Sequence, residues 1–140
     1  MRVGIVGSRR RNSLVDRQQI LDLVRDLKVK FDDELVLVSG GCKSGADHYA
    51  EEAAKIYNVK ITLHLPSGKT RSKWEFRQAA YTRNKLIAED SDVLFAQVAS
   101  DRTGGTENTL EHAKNAHVLC WLVNLDGAII APSEWPSIPI

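Results

Sequence analysis

The 140-residue sequence predicts one α/β domain of Rossmann-like type, a parallel sheet with helices on both faces. Three observations predict it. Short apolar runs at Val3 to Val6, Leu35 to Val38, Val59 to Leu65, Val93 to Val98 and Val118 to Val123 alternate with longer segments of helical period, the βαβα pattern of covered parallel strands. Three of these runs lead into glycine-bearing turns: Gly7-Ser8-Arg9, Ser39 to Asp47, and Gly104-Gly105-Thr106. The length suits one hydrophobic core and is too short for two ordinary ones, so residues 1–140 are expected to form a single domain.

Taken in order, Val3 to Val6 is continuously apolar and belongs at the centre of the sheet. In the helix that follows, Leu14, Leu21, Val24, Leu27 and Phe31 recur on about one face, and Ser13 with Asp16 has the spacing of a capping box. Leu35 to Val38 is a second central strand. Ala46, Ala50, Ala53, Ala54 and Tyr57 give the next helix a small-residue face, with Ser44 and Asp47 again at capping-box spacing. Val59, Ile61, Leu63 and Leu65 interleave with Lys60, Thr62 and His64, a period of two that marks an edge strand with one wetter face. A third helical run follows, with Phe76, Ala80, Tyr81 and Ile87 expected inward, before the central strand at Val93. A fourth, Thr106 to Ala116, leads to the strand at Val118. Strand order 3-2-1-4-5 satisfies these placements and the right-handed crossover rule. Asp126-Gly127 marks a turn, Ala128 to Ile130 a short antiparallel return, and Pro132 to Ile140 an irregular arm.

Composition narrows the function classes. Hydrophobic residues make up 43% and charged residues 26%, values of ordinary folded domains. The formal charge of +1 argues against a strongly basic nucleic-acid binder, although Arg9-Arg10-Arg11 forms a local run. Cys42 and Cys120 are too few for a disulfide framework or a Cys-only zinc site, and the four histidines have no metal spacing; no metal and no cofactor are expected. The chain opens too polar for a secretory segment, and no run reaches membrane-spanning length, so a cytoplasmic protein without membrane contact is expected.

In order 3-2-1-4-5 the sheet reverses direction between its first and fourth strands, and ligands bind such sheets outside the carboxyl ends at that crevice. Gly7-Ser8-Arg9 and Gly104-Gly105-Thr106 would meet there. A glycine-lined helix start leaves amides unpaired where the helix dipole favours anions, so phosphate is the natural ligand. Gly7 and Ser8 would admit close backbone approach, and Arg9 would reach an anion; Arg10 and Arg11 are expected as surface charge. Gly40, Gly41, Cys42 and Lys43 supply further amides and a cation, while Asp47 serves equally well as a helix cap or as an acceptor for a ligand hydroxyl. Pro66 to Thr70 ends like a P-loop but has Leu63 where the first glycine is required. It is expected instead as a polar loop over the pocket mouth, with Lys69, Arg71 and Lys73 beside it. Arg83-Asn84 would point a cation and an amide across the crevice.

Together Gly7-Ser8-Arg9, Ser39-Gly40-Gly41 with Gly45-Ala46-Asp47, Arg83-Asn84 and Gly104-Gly105-Thr106 resemble the SLOG superfamily, the Rossmann-like group that includes DprA and the LOG phosphoribohydrolases. The resemblance spans most of the chain up to Ala116. It implies a nucleotide-type ligand lined by Gly7, Ser8, Gly40, Gly41, Arg83, Gly105 and Thr106, with phosphate on the last glycine turn, and a homo-oligomer, for which the proline-rich arm with Trp135 is a candidate contact. In the LOG enzymes the motif P-G-G-x-G-T-x-x-E ends in a catalytic glutamate; aligned on Gly105-Thr106, that position is Thr109. Glu107 and Glu111 are each two residues away, a helical rotation of roughly 200°. A nucleotide-binding sensor or carrier is therefore the expected function. An N-glycosidase using Arg83 with Glu107 or Glu111 is the alternative, and DprA-like single-strand binding through Arg9 to Arg11 and Lys43 a weaker one.

Overall fold

The computed structural model describes residues 1–66, 68 and 72–130. The chain runs β1 (Arg2–Gly7), α1 (Leu14–Phe31), a 3-10 turn (Asp32–Glu34), β2 (Val36–Ser39), α2 (Ala46–Tyr57), β3 (Lys60–Leu63), α3 (Lys73–Glu89), β4 (Val93–Gln97), α4 (Gly105–Asn115), β5 (Leu119–Val123) and β6 (Ile129–Ile130). The strands form one sheet in the order β3-β2-β1-β4-β5-β6. The first five are parallel, in the predicted order, and β6 adds the expected antiparallel return through Val123 opposite Ile129. The expected arm from Pro132 lies outside the described residues, as do Lys69 and Arg71 of the expected polar loop.

Alternation along the central strands divides the core between two layers. Val3 and Ile5, Val93 and Phe95, and Trp121 face α1 and α2; Val6, Leu94, Ala96 and Cys120 face α3 and α4. Phe95 and Trp121 are fully buried and stack with ring centroids 5.6 Å apart. Each such side chain taken from water contributes on the order of 1.5–3 kcal/mol. Burial also pushes the Cys120 thiol up to about 12, so it acts as a small apolar residue.

The Ser13–Asp16 capping box forms at α1 as expected. Its apolar face differs from the expectation at its start: Leu14 is 82% exposed, and Ile20 and Leu23 join Leu21, Val24 and Leu27 in the core. The second capping box does not form. The chain turns at Gly45 with φ +73°, which makes Gly45 the N-cap and leaves Ser44 outside the helix. A Cβ at Gly45 would stand 3.0 Å from the Ser8 carbonyl oxygen, so the left-handed turn and the approach of two loops both require glycine there.

Candidate functional site

At the carboxyl ends of β1 and β4 an open cavity of about 880 Å³ separates the β1 turn from the first turn of α4, with α3 along one side. Its walls bring together Gly7, Ser8 and Arg9, Cys42 and Asp47, Arg83 and Asn84, and Gly104, Gly105 and Thr106. Gly40, Gly41 and Lys43 do not line it. Lys43 is exposed, Gly40 stands behind Arg83 and Asp47, and Gly41 faces Leu65 and Leu63.

The α4 wall follows from its glycines. Gly104, at φ +109°, is the N-cap and supplies no side chain to the first-turn amides; the Glu107 amide bonds the Gly104 carbonyl at 3.2 Å. A Cβ built at Gly105 meets nothing closer than Asn84 Nδ2 at 4.0 Å, so open space adjoins these amides. This is the geometry in which a helix start attracts an anion. Asn84 is buried and holds α3 to the turn, its Nδ2 donating to the Gly105 carbonyl at 3.3 Å and to Asn108 Oδ1 at 3.2 Å.

The β1 wall is tied to the α4 wall by Arg10. Its guanidinium donates to both carboxylate oxygens of Asp101 at 2.7 and 2.8 Å, and to the Thr103 hydroxyl and carbonyl. Hydrogen bonds from Arg10 first, then from the Thr103 hydroxyl, hold the Asp101 carboxyl far below the usual range. Arg10 is thus a clamp between two site loops rather than free surface charge. Arg11 corrects the sequence reading more sharply. Its side chain is 3% exposed, and it pairs with Asp16 at 3.1 Å and donates to the carbonyls of Val98, Val123 and Asn124. The Arg9 to Arg11 run is therefore not one basic patch; only Arg9 projects without an ion pair among the described residues.

Gly7 lines the cavity, but packing already requires glycine there. An added Cβ would lie 2.7 Å from Ala46 Cβ and 2.9 Å from Gln97 Cβ, so the strand-to-helix approach excludes a side chain before any ligand does. Ser8 accepts the Arg10 amide through its hydroxyl oxygen, which leaves the O–H free to donate.

On the β2 side Asp47 is buried, with Oδ1 accepting from the Ser39 hydroxyl at 3.1 Å and Oδ2 from the Cys42 amide at 3.1 Å. It folds the Ser39–Gly45 turn rather than capping α2. Burial raises its pKa, and the Cys42 amide, Ser39 and the nearby Arg83 charge offset this only in part. Arg83 donates to the Gly40 carbonyl at 2.6 Å and to Asn84 Oδ1 at 3.0 Å. A Cβ at Gly40 would lie 2.7 Å from that guanidinium and 2.8 Å from Asp47 Oδ2, so this glycine permits the two charges to share the turn.

Glu107 and Glu111 do not line the cavity. Glu107 is held by Arg102 at 2.8 and 2.9 Å, Glu111 is exposed, and Thr109 occupies the cavity wall where the helical phase places it. Asp47 is the one carboxylate among the described lining residues. Sequence reasoning missed Arg77 and the wall role of Thr109, and it assigned Phe76 and Tyr81 to the core. They are 46% and 37% exposed and line the cavity. The i, i+3, i+4 spacing that marks a buried face marks a cavity face equally well.

Among the described residues no three His, Cys, Asp or Glu groups gather as a metal site, and no helix is long and apolar enough to cross a membrane.

Sheet order and cavity position define a Rossmann-like α/β domain with its pocket at the switch point. Among solved structures the chain is similar to the molybdenum cofactor binding protein from the phototrophic bacterium Rippkaea orientalis, at 22% identity and a TM-score of 0.68, over 88% of this chain and 76% of that one. It is also similar to the molybdenum cofactor carrier protein from Chlamydomonas reinhardtii, in two structures at 21% identity and TM-score 0.64, over 86% and 74% of the respective chains. These likenesses show the fold. No family model and no curated protein sequence matches the chain.

Proposed function

We propose that this chain is a SLOG-type binding protein that holds a phosphorylated, ring-bearing small molecule of nucleotide type in the switch-point cavity and carries or senses it without cleaving it. One observation carries the reading: the uncapped, glycine-lined start of α4 opens into a cavity whose opposite wall offers Ser8 and Arg9. The phosphate would sit on the Gly105 and Thr106 amides, with Arg9 adding charge, and the ring would lie along α3 against Phe76 and Ile87. The cavity volume falls within the range of roughly 300–1,000 Å³ common for small-molecule sites. Binding without turnover is supported by the outward placement of Glu107 and Glu111, and by Asp47 having both carboxylate oxygens engaged within its own turn.

The structural neighbours favour one specific cargo within this class, since they bind or carry the molybdenum cofactor, itself a phosphorylated pterin. The half-buried Cys42 thiol in the cavity wall would add a soft donor beside such a cargo. Native mass spectrometry of protein purified gently from its host tests the reading. A co-purifying mass that is lost in Gly105→Val is expected, and its value separates a nucleotide from a pterin. Free base released from nucleoside monophosphates would instead make the protein a hydrolase.

A further inference from the structure

The first half of α3 is not built like the second. Its buried residues, Asn84, Ile87 and Ala88, all fall in the last turns, and none lies between Lys73 and Arg83. Yet Lys73, Phe76, Arg77, Ala80, Asn84 and Ile87 follow helical spacing along one face, and all six line the cavity. Among the described residues, the amino-terminal half of this face therefore lines the cavity with no buried contact of its own, an aromatic ring beside two cations. Arg10 and Arg83 are spent on Asp101, Thr103 and Gly40. Lys73 and Arg77, in contrast, have no ion-pair partner or hydrogen bond from their charged groups among the described residues.

Their distance from the α4 start fixes what they can meet. Asn84 touches the Gly105 turn directly. At 1.5 Å of rise per residue, Arg77 lies about 10 Å and Lys73 about 16 Å farther along the α3 axis, and helical side chains lean still farther toward the amino end. A phosphate seated on the Gly105 amides, or a second one bonded directly to it, thus leaves Lys73 unmet, and both cations together are met only by an anion set farther along α3.

We propose that the cavity takes a ligand with two separated anionic groups, a phosphate on the α4 start and a second anion on Lys73 and Arg77, with a ring between them stacked on Phe76. This rests on the reading of the cavity as a phosphate site and names its substrate class: a nucleotide extended beyond the mononucleotide by a second anionic group, as in a phosphorylated dinucleotide. Phe76 supplies a sequence-tolerant stacking surface, and the cations supply the distal electrostatic contact.

The test is calorimetry at fixed ionic strength with three probes, in adenine and guanine series: the nucleoside 5′-monophosphate, the 5′-diphosphate, whose two phosphates are adjacent, and the linear 5′-phosphorylated dinucleotide. The dinucleotide is expected to bind at least tenfold more tightly than either of the others. Lys73→Glu with Arg77→Glu should bring it down to the monophosphate level while changing monophosphate affinity less than twofold. Phe76→Ala should weaken the dinucleotide about tenfold. All three positions are exposed, and thermal melts check that the variants remain folded. A diphosphate that matches the dinucleotide, or a dinucleotide advantage that survives the double charge reversal, overturns the proposal while Gly105-dependent monophosphate binding leaves the phosphate site standing. If no probe binds the parent protein, the nucleotide reading and this extension of it both fall, and the co-purifying mass alone decides for a pterin.

Discussion

Replacing Arg11 by methionine should destabilise the protein far more than any other change in the Arg9 to Arg11 run. The side chains of Arg11 and Asp16 are 3% and 10% exposed and stand 3.1 Å apart. The guanidinium also donates to the carbonyls of Val98, Val123 and Asn124, where the ends of β4 and β5 meet the β1 turn. Methionine keeps much of the stem volume but leaves one buried carboxylate without its cation and those carbonyls without their donor. Removing one partner of a buried pair costs about 3–5 kcal/mol, and for a chain of this length a loss of that size lowers Tm on the order of 10 °C. Urea denaturation and thermal melting followed by circular dichroism measure both quantities. Arg9→Met, which touches an exposed side chain without an ion pair, serves as the control and should leave stability unchanged. A loss below about 1 kcal/mol in Arg11→Met would refute the view that this arginine ties the site loops to the sheet.

Gly7→Ala should cost about 1–3 kcal/mol in urea denaturation, because its Cβ would fall 2.7 Å from Ala46 Cβ and 2.9 Å from Gln97 Cβ, both on well-packed elements. Gly105→Val, which meets open space, should instead melt like the parent and lose at least tenfold in nucleotide affinity by calorimetry. Arg83→Ala should weaken ligand binding and raise the Asp47 pKa further by removing a nearby positive charge; carboxylate titration by NMR reads the second effect. Asp47 itself gives a signed pH dependence. Its folded pKa lies above the ordinary value of 3.8, so the folded state holds the proton more tightly, and stability falls as pH rises from 3.8 through the folded value, then levels off. Asp47→Asn should abolish that fall in urea titrations between pH 3.5 and 7, and a slope unchanged by the substitution would assign it to other groups.

The parts of this fold legible in the sequence are those with a short-range cause. Apolar runs located the strands, the two-residue period of Val59 to Leu65 located the edge, and β3 indeed closes one side of the sheet. Ser13 and Asp16 cap α1 because both partners lie within one turn. Ser44 and Asp47 have the same spacing and fail, since Gly45 turns left-handed and carries the carboxylate back to Ser39 and Cys42. Arg11 was opaque for a related reason: the carbonyls that bury it lie 87 to 113 residues ahead in the chain, and its spacing to Asp16 does not by itself distinguish it from Arg10. On α3 the sequence gives the apolar face but not whether protein or empty space stands opposite, so Phe76 passed for core.

The same distinction bears on chemistry. Residues of α4 three positions past Thr106 return to the cavity, while those one or five past it are carried around the helix. Thr109 is accordingly in the wall, 2% exposed, and Glu107 is on the flank, where Arg102 fixes it. A rotamer change cannot reverse this, because the Cα positions of Glu107 and Glu111 are set by a helix whose Ala113 is packed against the sheet and whose start is held by Asn84. What the cavity does present is a set of donors: first-turn amides, the Ser8 hydroxyl and, at either end, cations without an ion pair among the described residues. Such an array stabilises an anion already present in a ligand, and among the described lining residues Asp47, engaged with Ser39 and the Cys42 amide, is the one carboxylate.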